Sequence, residues 1–449
     1  MSRLFIIEHK YSPYVVNFLI ACVTLVLSLN LPYSKDDWKE LSDSYDYLQQ
    51  SKISLFDKEF YCGHKVGHFS PRPFTVPLFY KMCGSDTDKI VQMQRVMLSL
   101  SAFFMVWAFI AFLRKNSSKY FIIAGVYALV SWWNVQGWAV LVLSESLSAS
   151  LTFLWLASLL FLYRNKNSRG WFALHAIVAV LLGCSRDSWP YVLMSFYAGM
   201  CIVWLLLKQP DVKKYAALFA ISLAVFFLQQ NSARVGERHR LPVTNSIVVR
   251  IINNPVYTQW FVNHGMPQAE KLQKNYPNLD VIPEEGQHRL WALCSDTVEY
   301  KPFLAWVVEK GQSVYTKFLI THPTYVLGAD ETPVQLARVM SYNLFYIDEP
   351  RGYSAIFEYV FPWFGIKSVI VLSVLLLIMF VRYRHPILLA PIVLALFNLL
   401  NAILCYNGDA LEVDRHLFIT IILVQLIGMW GVVLLWDSIV WSIKMKPDQ

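Results

Sequence analysis

Apolar runs long enough to cross a bilayer recur along this chain, and nothing constrains its fold more. A helix of about 20 apolar residues spans the hydrocarbon core. Runs of that kind fall near 13–31, 92–113, 120–138, 145–163, 171–184, 189–207, 215–230, 360–381, 386–405 and 416–440. They are continuously apolar rather than alternating, so they read as helices and not as strands of a barrel. The fifth run is short, and the Trp132–Leu143 region has the look of a re-entrant or interfacial piece. With 56% hydrophobic residues and a mean hydropathy of +0.41 over 449 residues, the chain is more apolar than soluble domains are. The expected fold is an all-α polytopic membrane bundle of about ten spans.

The short loops carry the orientation. Arg3 and Lys10 precede the first run; Arg114, Lys115 and Lys119 separate the second and third. Arg164, Lys166 and Arg169 follow the fourth, and Lys208, Lys213 and Lys214 follow the sixth. Arg382 and Arg384 follow the eighth, and Lys444 and Lys446 come near the end. All of these fall on one side if the spans alternate, and the opposite short turns hold only Arg186 and Arg415. Basic loops stay cytoplasmic, so both termini are expected inside. That sorting also accounts for the net charge of +8. No basic patch interleaves with aromatics on a soluble face, so a nucleic-acid partner is not expected. The first run lacks a small-residue cleavage site and is read as a retained span.

Two long loops then face out, 32–90 and 231–355. Loops of this length are usually functional. The chain divides into an N-terminal membrane module, 1–230, an outer domain, 231–355, and a C-terminal membrane module, 356–449. The outer domain is expected to be a small mixed domain. It has helical stretches at Leu290–Gly311 and Ser313–Thr321 and turn signals at Asn254-Pro255, His322-Pro323 and Glu349-Pro350.

Nearly all acids suited to chemistry sit on the outer side. The first outer loop contains Asp36, Asp37, Glu40, Asp43 and Asp46. Asp43 and Tyr47, four apart, share a helix face. A carboxylate at the lipid boundary is partly desolvated, which should raise its pKa toward that of a general base. Arg72 lies in Ser70-Pro-Arg-Pro, a stiff approach to the second span. Glu145 begins the fourth span, where the helix dipole favours an acid. Arg186 and Asp187, in the turn between the fifth and sixth spans, are expected to pair with one another, and Arg415 and His416 enter the last span from outside. Arginines so placed suit a phosphate at the interface. Cys62, His64 and His68 match no zinc spacing, so no metal is expected. Cys62, Cys83 and Cys294 fall in outer loops, where a Cys62–Cys83 disulfide is one of several pairings. No phosphate-cradling glycine loop or nucleophile elbow occurs.

This layout resembles the GT-C glycosyltransferases, polytopic enzymes that take a sugar from a polyprenyl-phosphate carrier on the non-cytoplasmic face. The resemblance rests on Asp43, Tyr47 and Ser70-Pro-Arg-Pro in order, on Glu145 opening a later helix, and on Arg415 entering the last span. Arg250-Ile-Ile-Asn-Asn-Pro, Trp260-Phe-Val-Asn-His-Gly-Met-Pro and Lys317-Phe-Leu-Ile-Thr-His-Pro look like the outer loop of bacterial relatives, among them O-antigen glucosyltransferases. The resemblance implies a GT-C-like bundle in a bacterial inner membrane. It implies an inverting transfer to a glycan or glycoprotein acceptor, with no cofactor beyond the lipid-linked sugar donor. Asp43 would be the base. Asp37, Tyr47, Glu145 and Asp187 would serve as acid or acceptor contacts. Arg72, Arg186, Arg250, Arg415 and His416 would hold the donor phosphate. An O-antigen or capsule polymerase and a transporter of lipid-linked sugars are the competing readings.

Overall fold

A computed structural model describes residues 2–30, 42–66, 69–165, 167–208, 211–276, 293, 298–327, 364–384, 386–409 and 413–441. Among these the only extended pairing is an isolated bridge between Val66 and Phe69; everything else regular is helical. Eight helices are long and apolar enough to cross a membrane: Ser12–Leu29, Thr87–Phe112, Ser144–Arg164, Trp189–Leu206, Val212–Val235, Ile366–Tyr383, Ile387–Gly408 and Arg415–Asp437. The expected third and fifth spans correspond to shorter helices, Asn116–Ser131 of 16 residues and Arg169–Gly183 of 15.

Two helices form the centre. Over an 18-residue stretch of Arg415–Asp437 94% of the residues are buried, and over one of Ser144–Arg164 83%, whereas in Ile366–Tyr383 17% are and the helix turns its apolar surface outward. A helix apolar on all sides belongs in the interior of a bundle. The Ser144–Arg164 helix gains that position through Ser146, Ser148, Ala149 and Ser150, small residues that let neighbouring backbones approach. Ser150 and Thr152 return their hydroxyls to the carbonyls of Ser146 and Ser148. Gly199 serves the same purpose at another contact, because a Cβ built on it would fall 2.6 Å from the Phe397 ring.

The Trp132–Leu143 region is indeed broken. A four-residue helix, Trp133–Gln136, runs into a 3-10 turn, Gly137–Val140, and then into extended chain. The whole stretch is buried. Irregular backbone survives at membrane depth only where protein satisfies it, and here three side chains do so. Gln94 Nε2 donates to the Leu141 carbonyl at 2.8 Å, Ser44 Oγ to Val142 at 2.8 Å, and Tyr80 OH to Leu143 at 3.0 Å. The break lets the chain re-enter the Ser144–Arg164 helix with its first turn facing the first outer loop.

The outer domain corrects the expectation of a mixed fold: its described residues are helical, with a core of their own around Ile247, Val248, Phe261, Phe303 and Phe318. Asn254-Pro255 is a helix start, where Asn254 Oδ1 accepts from the amides of Val256 and Tyr257. The two histidines of the loop motifs play matching structural parts. His264 Nδ1 donates to the Trp260 carbonyl and stacks on its ring at 3.8 Å. His322 does the same to Phe318, at 4.3 Å between rings. Each imidazole thus caps the C-terminal turn of its helix. The Glu349-Pro350 signal lies outside the described residues. Cys62 and Cys83 are both free thiols.

Candidate active site

The first outer helix, Ser42–Lys52, presents Asp43, Asp46 and Gln50 at positions i, i+3 and i+7, so they share one face. The Ser70–Pro73 segment is strapped across that face. Proline on either side keeps it extended, which leaves its backbone groups without helical partners. Gln50 supplies them: its Oε1 accepts from the Arg72 amide at 2.7 Å and its Nε2 donates to the Arg72 carbonyl at 2.9 Å. The Ser70 amide donates to Asp46 at 3.0 Å. The Arg72 side chain is thereby aimed along the helix, with Nη2 2.6 Å from Asp43 Oδ1 and 2.9 Å from Asp46 Oδ2.

The two central helices bring the remaining charges to the same end of the bundle. Arg415 sends Nη2 to Asp43 Oδ2 at 2.7 Å and Nε to Glu145 Oε1 at 2.6 Å. Arg186, from the turn before Trp189, reaches Glu145 Oε1 at 3.4 Å. Its Nη2 also donates to His416 Nδ1 at 3.2 Å, which leaves the His416 proton on Nε2, toward Asp409 Oδ2 at 3.7 Å. Asn245 of the outer domain donates to the other Asp409 oxygen at 3.0 Å. A continuous chain of ion pairs and hydrogen bonds therefore runs from the first outer loop through the bundle to the outer domain. Arg186 Nη1 is buried and meets no acceptor. A buried guanidinium edge without a partner is costly, and an anion is the natural partner for it.

The expected rise in the pKa of Asp43 is overturned. Burial does act to raise it, but Arg72 and then Arg415 outweigh burial and hold the carboxyl well below the usual carboxylate range. Asp46 behaves as expected for Asp43: burial pushes it up, against the pull of Arg72. Burial also raises Tyr47, whose ring lies under Arg72 at 5.9 Å and edge-on to Tyr80 at 6.1 Å. Its phenol stays protonated.

Other expected residues are placed elsewhere. Asp187 does not pair with its neighbour Arg186; it takes both Nε and Nη2 of Arg238, at 3.1 and 2.8 Å. Arg238 also donates to the Pro71 carbonyl at 2.9 Å, so this pair clamps the outer domain to the Arg72 segment. Arg250 is spent on Tyr406, donating to its carbonyl and lying 4.2 Å above its ring. Asp37 lies outside the described residues. Asp46, Asp409, Asn245 and Arg238 were not singled out from sequence. For Asp46 a signal existed, its i+3 spacing from Asp43; Arg238 and Asn245 find their partners, Asp187 and Asp409, 51 and 164 residues away.

An apolar cavity of about 720 Å³ opens between the Thr75–Met82 helix and the membrane helices, lined by Leu78, Phe79, Met93, Met97, Leu147 and Leu151. Leu147 is two residues from Glu145, and Thr75, also on the lining, is three from Arg72. Among the described residues no group of three or more His, Cys, Asp or Glu is placed to hold a metal ion. Compared with known proteins, the chain matches no family model, no curated protein and no solved structure.

Proposed function

We propose that this is a membrane glycosyltransferase that moves a sugar from a polyprenyl-phosphate carrier to a glycan or protein acceptor outside the cytoplasm. The observation that carries the reading is the meeting of Arg72, Arg186 and Arg415 at one end of the two most buried helices, with one guanidinium edge left open. Such a cluster offers a planar, fixed-charge seat for a phosphate. The apolar cavity, whose lining includes Thr75 and Leu147 on the same segments as Arg72 and Glu145, offers room for a lipid chain. The reading includes a ten-crossing topology, in which Asn116–Ser131 and Arg169–Gly183 also cross, with the charged end facing the periplasm of a bacterial inner membrane.

In the reaction an acceptor hydroxyl oxygen attacks the anomeric carbon. The bond from that carbon to the phosphate oxygen breaks, and its electron pair leaves with the phosphate. One displacement inverts the centre. Asp43 takes the hydroxyl proton; Arg186 and Arg415 stabilise the charge that grows on the leaving phosphate. Glu145 holds these two arginines in register. Asn245, through Asp409 and His416, ties the outer domain that receives the acceptor to the donor seat. A transporter would carry its charges in mid-span, whereas Glu145 and Arg415 stand at helix starts.

The test is mass spectrometry of surface polysaccharide and glycoprotein from cells with and without the gene. Loss of one sugar type supports the transferase. Loss of chain length alone would favour a polymerase, and an unchanged profile would remove both.

A further inference from the structure

The two arginines that meet Asp43 are each held a second time. Asp43 gives Oδ1 to Arg72 Nη2 and Oδ2 to Arg415 Nη2, at 2.6 and 2.7 Å. Arg72 is also gripped by Asp46, which accepts from Nε at 3.0 Å. Arg415 is gripped by Glu145, which accepts from its Nε at 2.6 Å. Both guanidinium groups therefore send Nη2 to the shared Asp43 carboxylate and Nε to a second one, Asp46 for Arg72, which also meets its Nη2 at 2.9 Å, and Glu145 for Arg415, which Arg186 also meets. An anion arriving between them competes with Asp43 for Nη2 and leaves the Nε edges alone.

We infer that the cluster is a displacement device: a phosphodiester anion takes the Nη2 donors from Asp43, and Asp46 is the positioning residue that keeps Arg72 in place while it does. This rests on the reading of the site as a seat for a sugar phosphate. Without the anion, Asp43 is neutralised twice and accepts protons poorly. With it, the guanidinium charge is spent on the phosphate, a second negative charge stands beside Asp43, and the carboxylate becomes basic. A proton acceptor therefore forms only when the donor is seated. The other groups facing Asp43 keep their partners. Glu145 retains Arg186 and the Nε edge of Arg415, and Asp46 retains the Ser70 amide. His416 stays between Arg186 and Asp409, and Tyr47 remains buried and neutral.

The experiment is calorimetric titration of the full chain in phosphatidylcholine nanodiscs with dimethyl phosphate, a diester monoanion that does not itself titrate near neutrality. Two buffers of different ionisation enthalpy give the protons taken up per anion bound. At about pH 4 the wild type should take up protons on binding, because an aspartate released from its arginines and set beside an anion titrates near or above its ordinary value. Asp43→Asn should abolish the uptake, and His416→Gln should not. In Asp46→Asn, Arg72 has only Asp43 to hold it, so the two stay paired: binding should persist within about tenfold while uptake falls by half or more. Asp46→Glu should restore it. Binding without uptake in the wild type would overturn the inference and leave the phosphate seat standing, as would unchanged uptake in Asp46→Asn. Failure of the wild type to bind would remove the seat and the device together.

Discussion

Asp43 stands between two guanidinium groups, and that position decides what replacing it does. Its folded pKa lies below the unfolded value, so the stability it contributes is complete above the unfolded pKa, about 4, and fades as pH falls toward the folded value. The melting-temperature gap between wild type and Asp43→Asn should therefore be flat from about pH 5 to pH 8 and shrink below about pH 4. A gap that changed steadily across the neutral range would mean that another group sets it. Transfer activity of the same variant should fall by about 10²- to 10⁴-fold, the usual worth of a positioned base. Arg415→Ala is a different experiment. It strands Glu145, which is fully buried, with Arg186 alone. Breaking a buried pair costs about 3–5 kcal/mol, so this variant should lose folded protein, seen as a lower melting temperature, before its activity can be judged. The pairing of Asp43 with Arg72 was foreshadowed by local sequence, since one lies on a short helix and the other on the proline-stiffened strap that follows. The pairing with Arg415 was not, because 372 residues separate the two and only the packing of the central helices joins them.

At the scale of elements, the break at Trp132–Leu143 is the least helix-like part of the bundle and the most dependent on particular side chains. Its tryptophans and valines are apolar enough for a span, and composition marks only that something ends there. What the sequence could not show is who satisfies the freed carbonyls, since Gln94, Ser44 and Tyr80 come from three separate elements. Gln94→Leu keeps the volume and removes the donor. Leaving a buried carbonyl unpaired costs about 1–3 kcal/mol, so this variant should unfold at lower denaturant in detergent, while Gln94→Glu should be no better. A melting curve equal to wild type would show that another donor holds the Leu141 carbonyl. Gly199 offers a contrasting case, in which shape rather than polarity decides. A valine there would drive two methyl groups toward Phe397, and overpacking typically costs about 1–3 kcal/mol. Gly199→Ala should lie between wild type and valine, and the order of the three melting temperatures is the check.

For the whole molecule, the decisive property is that every member of the charged chain sits at one end of the bundle. Glu145 and Arg415 open their helices there, Arg186 and Asp409 lie in turns at the same end, and Asp43 and Arg72 come from the loop that caps it. The opposite end carries Arg114, Lys115, Arg164, Lys213 and Lys214. The positive-inside rule predicts that the charged chain lies outside, as the proposed use of a lipid-linked sugar requires. Cysteine labelling tests this directly. In a background with the native cysteines replaced, Asp57→Cys should react with a membrane-impermeant maleimide on intact cells, and Lys213→Cys only after permeabilisation. Asp57 lies outside the membrane-length helices, and Lys213 stands in the first turn of Val212–Val235, close enough to its end to be wetted. The reverse pattern would put Arg72, Arg186 and Arg415 on the cytoplasmic side, within reach of nucleotide sugars, and the lipid-carrier reading would lose its reason. The loops alone predict this orientation, because insertion depends on charges near span ends and not on how the spans pack. How the spans pack is what turns a set of outer charges into a site, and that part depends on contacts across hundreds of residues.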